Sequence, residues 1–275
     1  MTAAIKYIVA LAAEKFGIEV FGVVLMSTQL YVLYRDPRGH RTKFHHKLHR
    51  ELALFTKAHR GWKGAVFEKD HSQVRLHGYQ AVIDKLGYLV ANPVASGAVR
   101  YARDWPGFLT RIDDMGNGQI GGPRPEAYYG NRKTAPEEAF TELRLPPNVL
   151  AHYDGDKDAV REAFRSARDE HVAEAHAEIR DKGLRYIGAA RCRKMNPFKR
   201  ANAYEVFDTF NAQFSCVGLE DEEQRAVAEE YAKFMSDYNK CREALLRLET
   251  GIIWPAGTWK MVHELNHGMA PEPPV

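Results

Sequence analysis

The chain has 275 residues, 45% of them hydrophobic and 27% charged, which is the composition of a globular protein with room for one large domain or two small ones. Its early apolar stretch from Ile18 to Met26 contains Glu19 and is far shorter than the roughly 20 residues that span a bilayer, and the first residues lack a secretory signal pattern. We therefore expect a cytoplasmic protein with no membrane partner. Its three cysteines are too widely spaced for a disulfide framework or a CxxC zinc knuckle.

The formal net charge of +3 is unevenly distributed. Residues 41–70 contain eight Lys and Arg against three Asp and Glu, and residues 182–204 contain seven basic residues and no acidic one. Two separated basic segments in a nearly neutral chain favour a polyanion partner. A solvated basic face is the alternative.

The first part of the chain predicts a helix, two strands and a basic helix. Residues 3–15 place apolar side chains at helical spacing, and Gly17 is positioned to end that helix. Two segments rich in β-branched and aromatic residues, IEVFGVVLM and LYVLYRD, then predict strands. A helix over about residues 42–59 follows, with one apolar and one basic face.

The rest of the chain predicts further helices around a Gly/Pro-rich stretch. A helix over about residues 79–90 is expected to stop at Asn92-Pro93, because proline disfavours the helical conformation in the residue before it. Residues 113–150 are predicted to be a linker or a long loop. Charged helices follow over residues 156–182 and about 221–248. The first of them has an apolar stripe of Val160, Phe164, Ala167, Ala175 and Ile179.

These elements predict two domains. Residues 1–112 are expected to form an α+β domain with an antiparallel sheet and packed helices. Residues 151–275 are expected to form a mostly helical, basic C-terminal domain.

Four segments, in order, resemble the bacterial REP-associated tyrosine transposases of the HUH superfamily. VLMSTQLYVLYRDP is similar to the strand in which that family has V-M-S-N-H-x-H, and DKLGYLVANPVASGAVRYARDWPG is similar to its Y-x-x-x-N-P-V helix and W-P exit loop. GAARCRKMNPFKR and IIWPAGTWKMVH resemble the tail of long members. The resemblance implies an HUH, ferredoxin-like fold. The family usually has another strand before the first helix, so one strand is expected to be missing or encoded upstream.

The resemblance also implies a chemistry. In the family, two histidines on one strand face hold a divalent ion, Mg²⁺ or Mn²⁺, which polarises a scissile phosphate in single-stranded DNA. A tyrosine then attacks and leaves a covalent phosphotyrosine and a free 3′ hydroxyl. Carried over to this chain, the nucleophile position is Tyr88 and the third metal-ligand position is Asn92. The implied substrate is hairpin DNA.

The chain departs from the family at the metal. The two histidine positions are Gln29 and Tyr31, and neither an amide oxygen nor a phenol with a pKa of about 10 replaces imidazole. We therefore expect metal binding there to be weak or lost and catalysis to be impaired.

The sequence is compatible with three functions: a transposase-type nuclease, a non-enzymatic DNA-binding relative, and an RNA-binding protein using the same basic segments. A homodimer stays open as a further partner. Tyr31 and Tyr34 are expected to stack on unpaired bases near the site. The expected DNA-binding residues are Lys43, Lys47, Arg50, Arg191, Arg193, Lys194, Lys199 and Arg200.

Overall fold

A computed structural model describes residues 1–67, 72–130, 134–196, 198, 214–256, 258, 261–262 and 265–269. The chain divides into two compact units, Met1–Val217 and Gly218–Val275. The predicted domains, residues 1–112 and 151–275 joined by residues 113–150, differ from these two units, and the helix predicted over residues 156–182 belongs to the first unit.

The helices of the first unit are α1 (Thr2–Phe16), α2 (Arg41–Arg60), α3 (Gly78–Ala95), α4 (Glu126–Tyr129), α5 (Pro147–His152), α6 (Lys157–Asp181) and α7 (Ala189–Lys194). Its strands are β1 (Glu19–Leu25), β2 (Leu30–Arg35), β3 (Arg75–Leu76), β4 (Phe108–Leu109), β5 (Gln119–Pro123), β6 (Glu138–Glu142) and β7 (Phe214–Ser215). Short 3₁₀ turns lie at Ala102–Asp104 and Ile112–Asp114. The α+β class with an antiparallel sheet is confirmed.

The central sheet has the strand order β2-β1-β4, and both pairs are antiparallel. A register shift between Val20 and Gly22 interrupts the β1–β2 pairing. Gly22 faces α3, since a Cβ on it would lie 3.1 Å from Leu86 Cδ1. The absence of a side chain at Gly22 thus lets α3 pack closely on this face of the sheet.

The opposite face of the sheet carries Tyr34, which contacts α2. Tyr31 and Tyr34 of β2 are three residues apart, so they point to opposite faces. The Tyr34 ring lies 5.4 Å from the ring of Phe44 on α2, and its hydroxyl is 2.8 Å from His45 Nε2. Burial raises the pKa of Tyr34 to about 12. Tyr34 therefore belongs to the α2 side, whereas we had expected it beside Tyr31 for base stacking.

α6 packs against α3 at an unusually close point. A Cβ added to Gly87 of α3 would lie 2.7 Å from the carbonyl carbon of Ala167 on α6. Asp156 caps the N-terminus of α6: its side chain accepts hydrogen bonds from the backbone N–H groups of Asp158 and Ala159. The predicted apolar stripe is buried as expected: Val160, Phe164, Ala167, Ala175 and Ile179.

Residues 113–150 contain regular structure, although their glycines and prolines predict a linker or loop. β5 and β6 pair along their length from Gln119↔Glu142 to Pro123↔Glu138. The hairpin packs on α1, and the buried Tyr7 of α1 donates a hydrogen bond to the carbonyl oxygen of Pro136 at 2.7 Å. Tertiary packing against α1 has overridden the local glycine and proline signal.

The C-terminal ends of α1 and α3 were both predicted from glycine or proline in the sequence. Gly17 ends α1 with a φ of 68°, which confirms its predicted role. The expected stop of α3 at Asn92-Pro93 is wrong, because Pro93 lies inside the helix. The last turn is retained through the bond from the Ser96 N–H to the Asn92 carbonyl at 2.9 Å and the burial of Val94.

The second unit contains one long helix, α8 (Asp221–Leu246), and the parallel strands β8 (Ile253–Trp254) and β9 (Gly268–Met269). Glu220 and Glu223 form a reciprocal capping box at the start of α8. Trp254 is fully buried, with Tyr238 5.3 Å away between ring centroids. None of the helices in the described parts of the chain has the length and apolar character needed to cross a bilayer.

Candidate functional site

Tyr88 lies on α3 with its side chain at the surface, 39% exposed. Its ring meets the ring of Tyr31 edge to face, with centroids 6.4 Å apart and planes at 84°. Lys85, one helical turn earlier, places Nζ 5.3 Å from the Tyr88 ring centroid. The structure thus brings together Tyr88, expected at the nucleophile position, and Tyr31, at one of the two positions where the resembled family has histidine.

Gln29 and Tyr31 are coupled to each other. The Tyr31 hydroxyl donates a hydrogen bond to Gln29 Oε1 at 2.7 Å. A phenol that donates this bond is protonated, so both positions offer neutral oxygens where the family has imidazoles. This pair does not fit a divalent ion, which binds tightly to deprotonated or strongly basic ligands.

Asn92, the third family ligand position, is 5% exposed and lies in the buried part of α3. In the parts of the chain that the structure describes, no three His, Cys, Asp or Glu side chains are grouped to hold a metal ion. The structure therefore provides no assembled metal-ligand set around Tyr88 in those parts.

His171 of α6 is a second neighbour of Tyr88 that the sequence did not point to. The two ring centroids are 5.9 Å apart, with planes at 79°. His171 Nε2 lies 2.9 Å from Asp84 Oδ1, and Nδ1 lies 3.6 Å from Glu174 Oε2. Because both ring nitrogens face carboxylates, His171 is held as a packing partner of Tyr88.

The position of Asp84 near Tyr88 could have been predicted from the sequence, because Asp84 precedes Tyr88 by four residues and so shares its helix face. His171 was not, because its approach depends on the close α3–α6 contact at Gly87.

No family model, curated protein or solved structure matches this chain.

The basic residues expected on α2 are largely engaged with one buried carboxylate. Glu51 is 1% exposed and accepts a hydrogen bond from the buried hydroxyl of Tyr129 at 2.6 Å. Lys47 Nζ lies 2.9 Å and Arg50 Nη1 3.3 Å from Glu51 Oε1. Lys43 is exposed on the same helix. These three predicted DNA contacts thus lie on the helix that contacts Tyr34, on the sheet face opposite Tyr31.

The second basic segment presents exposed side chains on α7. Arg191, Arg193 and Lys194 are all exposed, whereas Lys199 and Arg200 lie outside the described residues. The two basic segments meet at Trp62 and Phe198, whose rings stack with centroids 5.3 Å apart and planes at 12°. This contact joins the first basic segment, residues 41–70, to the second, residues 182–204.

Proposed function

We propose that this protein is a DNA-binding relative of the REP-associated tyrosine transposases that binds single-stranded hairpin DNA at Tyr88 and has lost metal-dependent cleavage. The HUH-type fold is part of the same proposal. The observation that carries it is the edge-to-face contact of the exposed Tyr88 with Tyr31. This contact joins two residues that are far apart in the chain and that come from two different segments resembling the family.

The surroundings of Tyr88 suit an unpaired base. Proteins bind single strands by stacking bases on aromatic rings while cations contact the phosphates. Tyr88 offers a partly exposed ring, and the Lys85 ammonium lies beside it. Its edge-to-face contacts with Tyr31 and His171 fix the ring plane, which lowers the entropy cost of ordering it on binding.

The ligand positions support the proposed loss of cleavage. Gln29 and Tyr31 offer a neutral amide and a phenol, hydrogen-bonded to each other, where the family has imidazoles. His171 Nε2 lies 2.9 Å from Asp84 Oδ1, so this nitrogen is engaged with a carboxylate. Tyr88 accordingly serves as a binding platform in this proposal.

Fluorescence anisotropy with labelled DNA tests the proposal. A hairpin with single-stranded flanks should bind more tightly than a duplex of equal length or the matching RNA hairpin. Tyr88→Ala should weaken hairpin binding by about 1–3 kcal/mol, the contribution of one stacked base. Phe140→Ala is the matched control, since Phe140 is 40% exposed on the β5–β6 hairpin.

Two outcomes would contradict the proposal. Equal effects of Tyr88→Ala and Phe140→Ala would remove Tyr88 from the binding surface, and tighter binding of the RNA hairpin would favour an RNA-binding protein. Cleavage is tested separately with Mn²⁺ or Mg²⁺. A nicked hairpin with a covalent protein adduct that disappears in Tyr88→Phe would establish the nuclease in place of the binding protein.

A further inference from the structure

A polar cleft lies beyond the C-terminal end of α3. It has a volume of about 420 Å³, within the range of about 300–1,000 Å³ that is typical of ligand pockets. Its walls come from the segment after α3 and from the segment that leads into α7. The residues that give the cleft its chemistry are Arg100, Arg103, Trp105, Tyr186 and Arg193.

The backbone holds the two walls together. The N–H groups of Ile187 and Gly188 donate to the carbonyls of Gly97 and Ala98, both at 2.9 Å. The Trp105 indole N–H donates to the carbonyl of Leu25 on β1 at 3.0 Å, which fixes the ring against the sheet. The cleft is therefore formed by hydrogen bonds within the protein before any ligand arrives.

The charge of the cleft favours an anion. Three guanidinium groups, those of Arg100, Arg103 and Arg193, are balanced by one carboxylate, that of Asp104. Within the described residues, none of the three guanidinium groups forms an ion pair. Planar guanidinium groups bind phosphate through paired, charge-assisted hydrogen bonds, so this excess of positive charge suits a phosphate group.

The aromatic wall suits a base. Tyr186 is half-buried and lines the cleft. The nearby Trp105 offers a large aromatic surface for stacking.

We infer that this cleft binds one nucleotide unit, with the phosphate among Arg100, Arg103 and Arg193 and the base against Trp105 and Tyr186. The site is separate from Tyr88 and goes beyond the function proposed there. The nucleotide could come from a DNA strand or from the free nucleotide pool, and the two sources share this chemistry.

Binding of thymidine 5′-monophosphate and of an oligothymidylate, measured by calorimetry and anisotropy, tests the inference. Arg193→Gln should weaken binding about tenfold, because it removes a charged hydrogen-bond donor from the phosphate. Arg185→Gln is the matched control, since it removes the same charge from the same basic segment outside the cleft. It should change affinity by less than about twofold, as a rim charge does.

The two ligands distinguish the sources. Binding of the mononucleotide that Arg193→Gln weakens assigns the cleft to free nucleotides. Binding confined to the oligothymidylate assigns it to a strand. The inference is overturned if neither ligand binds or if Arg193→Gln and Arg185→Gln have equal effects.

Tyr88→Ala separates this inference from the proposed function. The variant should leave mononucleotide binding unchanged, because Tyr88 does not line the cleft. If Tyr88→Ala weakens hairpin binding while the Arg193 variant behaves like its control, the cleft inference fails alone. The reverse result would refute only the Tyr88 proposal.

Discussion

Gly87 of α3 lies directly against Ala167 of α6. A Cβ on Gly87 would lie 2.7 Å from the Ala167 carbonyl carbon and 2.8 Å from its Cβ, both far inside van der Waals contact. This approach is what allows His171 of α6 to reach the ring of Tyr88.

Gly87→Ala is therefore expected to destabilise the protein. In an open helix the same change would stabilise by up to about 1 kcal/mol, because alanine has the higher helix propensity. Here the added methyl group meets backbone that cannot rotate away, so we expect a loss of about 1–3 kcal/mol in the free energy of unfolding, measured in urea. A gain in stability would show that the helices are further apart than the structure has them.

The buried Glu51 is expected to be a stability determinant. Glu51→Ala leaves the Tyr129 hydroxyl without its acceptor and the Lys47 ammonium without its nearest carboxylate. Because the Tyr129 hydroxyl is left buried without a partner while Lys47 and Arg50 keep access to water, we expect a cost of about 1–3 kcal/mol. Glu138→Ala, at an exposed position of β6, is the control and should cost less than about 0.5 kcal/mol. Similar thermal midpoints for the two variants would contradict this role.

Alkaline pH should weaken the fold through Tyr34. Burial raises its pKa from the ordinary value of 10.0 to about 12. A group whose pKa is raised on folding contributes stability that is complete below pH 10 and is lost as the pH rises toward 12. Tyr34→Phe should therefore show a smaller fall in stability over this interval than the parent protein. An identical pH profile for both proteins would place the Tyr34 hydroxyl in water.

Binding of a divalent ion at Gln29 and Tyr31 is expected to be absent at micromolar concentrations. Tyr31 is protonated and hydrogen-bonded to Gln29, so a metal would have to displace a proton and break that bond. Calorimetry with Mn²⁺ on the parent protein and on Gln29→Ala checks this. Micromolar binding that disappears in the variant would contradict the expectation.

The affinity for DNA should fall steeply with salt, because phosphate contacts release counterions. Each cation removed from the true footprint lowers the slope of log K against log salt by about one unit. Charge reversal at Arg193 and Lys194, both exposed on α7, should therefore flatten the slope. Arg225→Glu on α8, where the first turn is acidic, should leave it unchanged. Unchanged slopes in both variants would mark the second basic segment as a solvated surface.

Local patterns were sufficient for the elements whose physics is local. The apolar stripe from Val160 to Ile179 predicted the buried face of α6, and Gly17 predicted the end of α1, because helical periodicity and a left-handed cap depend only on near neighbours. The period of a strand also places Tyr31 and Tyr34 on opposite faces, which the expectation that both stack on bases near one site did not take into account.

Long-range packing decided the rest. The β5–β6 hairpin formed where glycines and prolines predicted a loop, because α1 offered it an apolar surface. α3 continued through Pro93 because its last turn is buried and bonded to Ser96.

The site divides in the same way. The sequence by itself selected Tyr88 and Tyr31 and showed that the histidines are absent. Their contact and the approach of His171 join residues that are far apart in the chain. The engagement of Lys47 and Arg50 by Glu51 is local in sequence, but it depends on the burial of Glu51, which no local pattern records. Tertiary structure decided these features, because the energy of a buried charge or of a close helix contact depends on packing partners that are distant in the sequence.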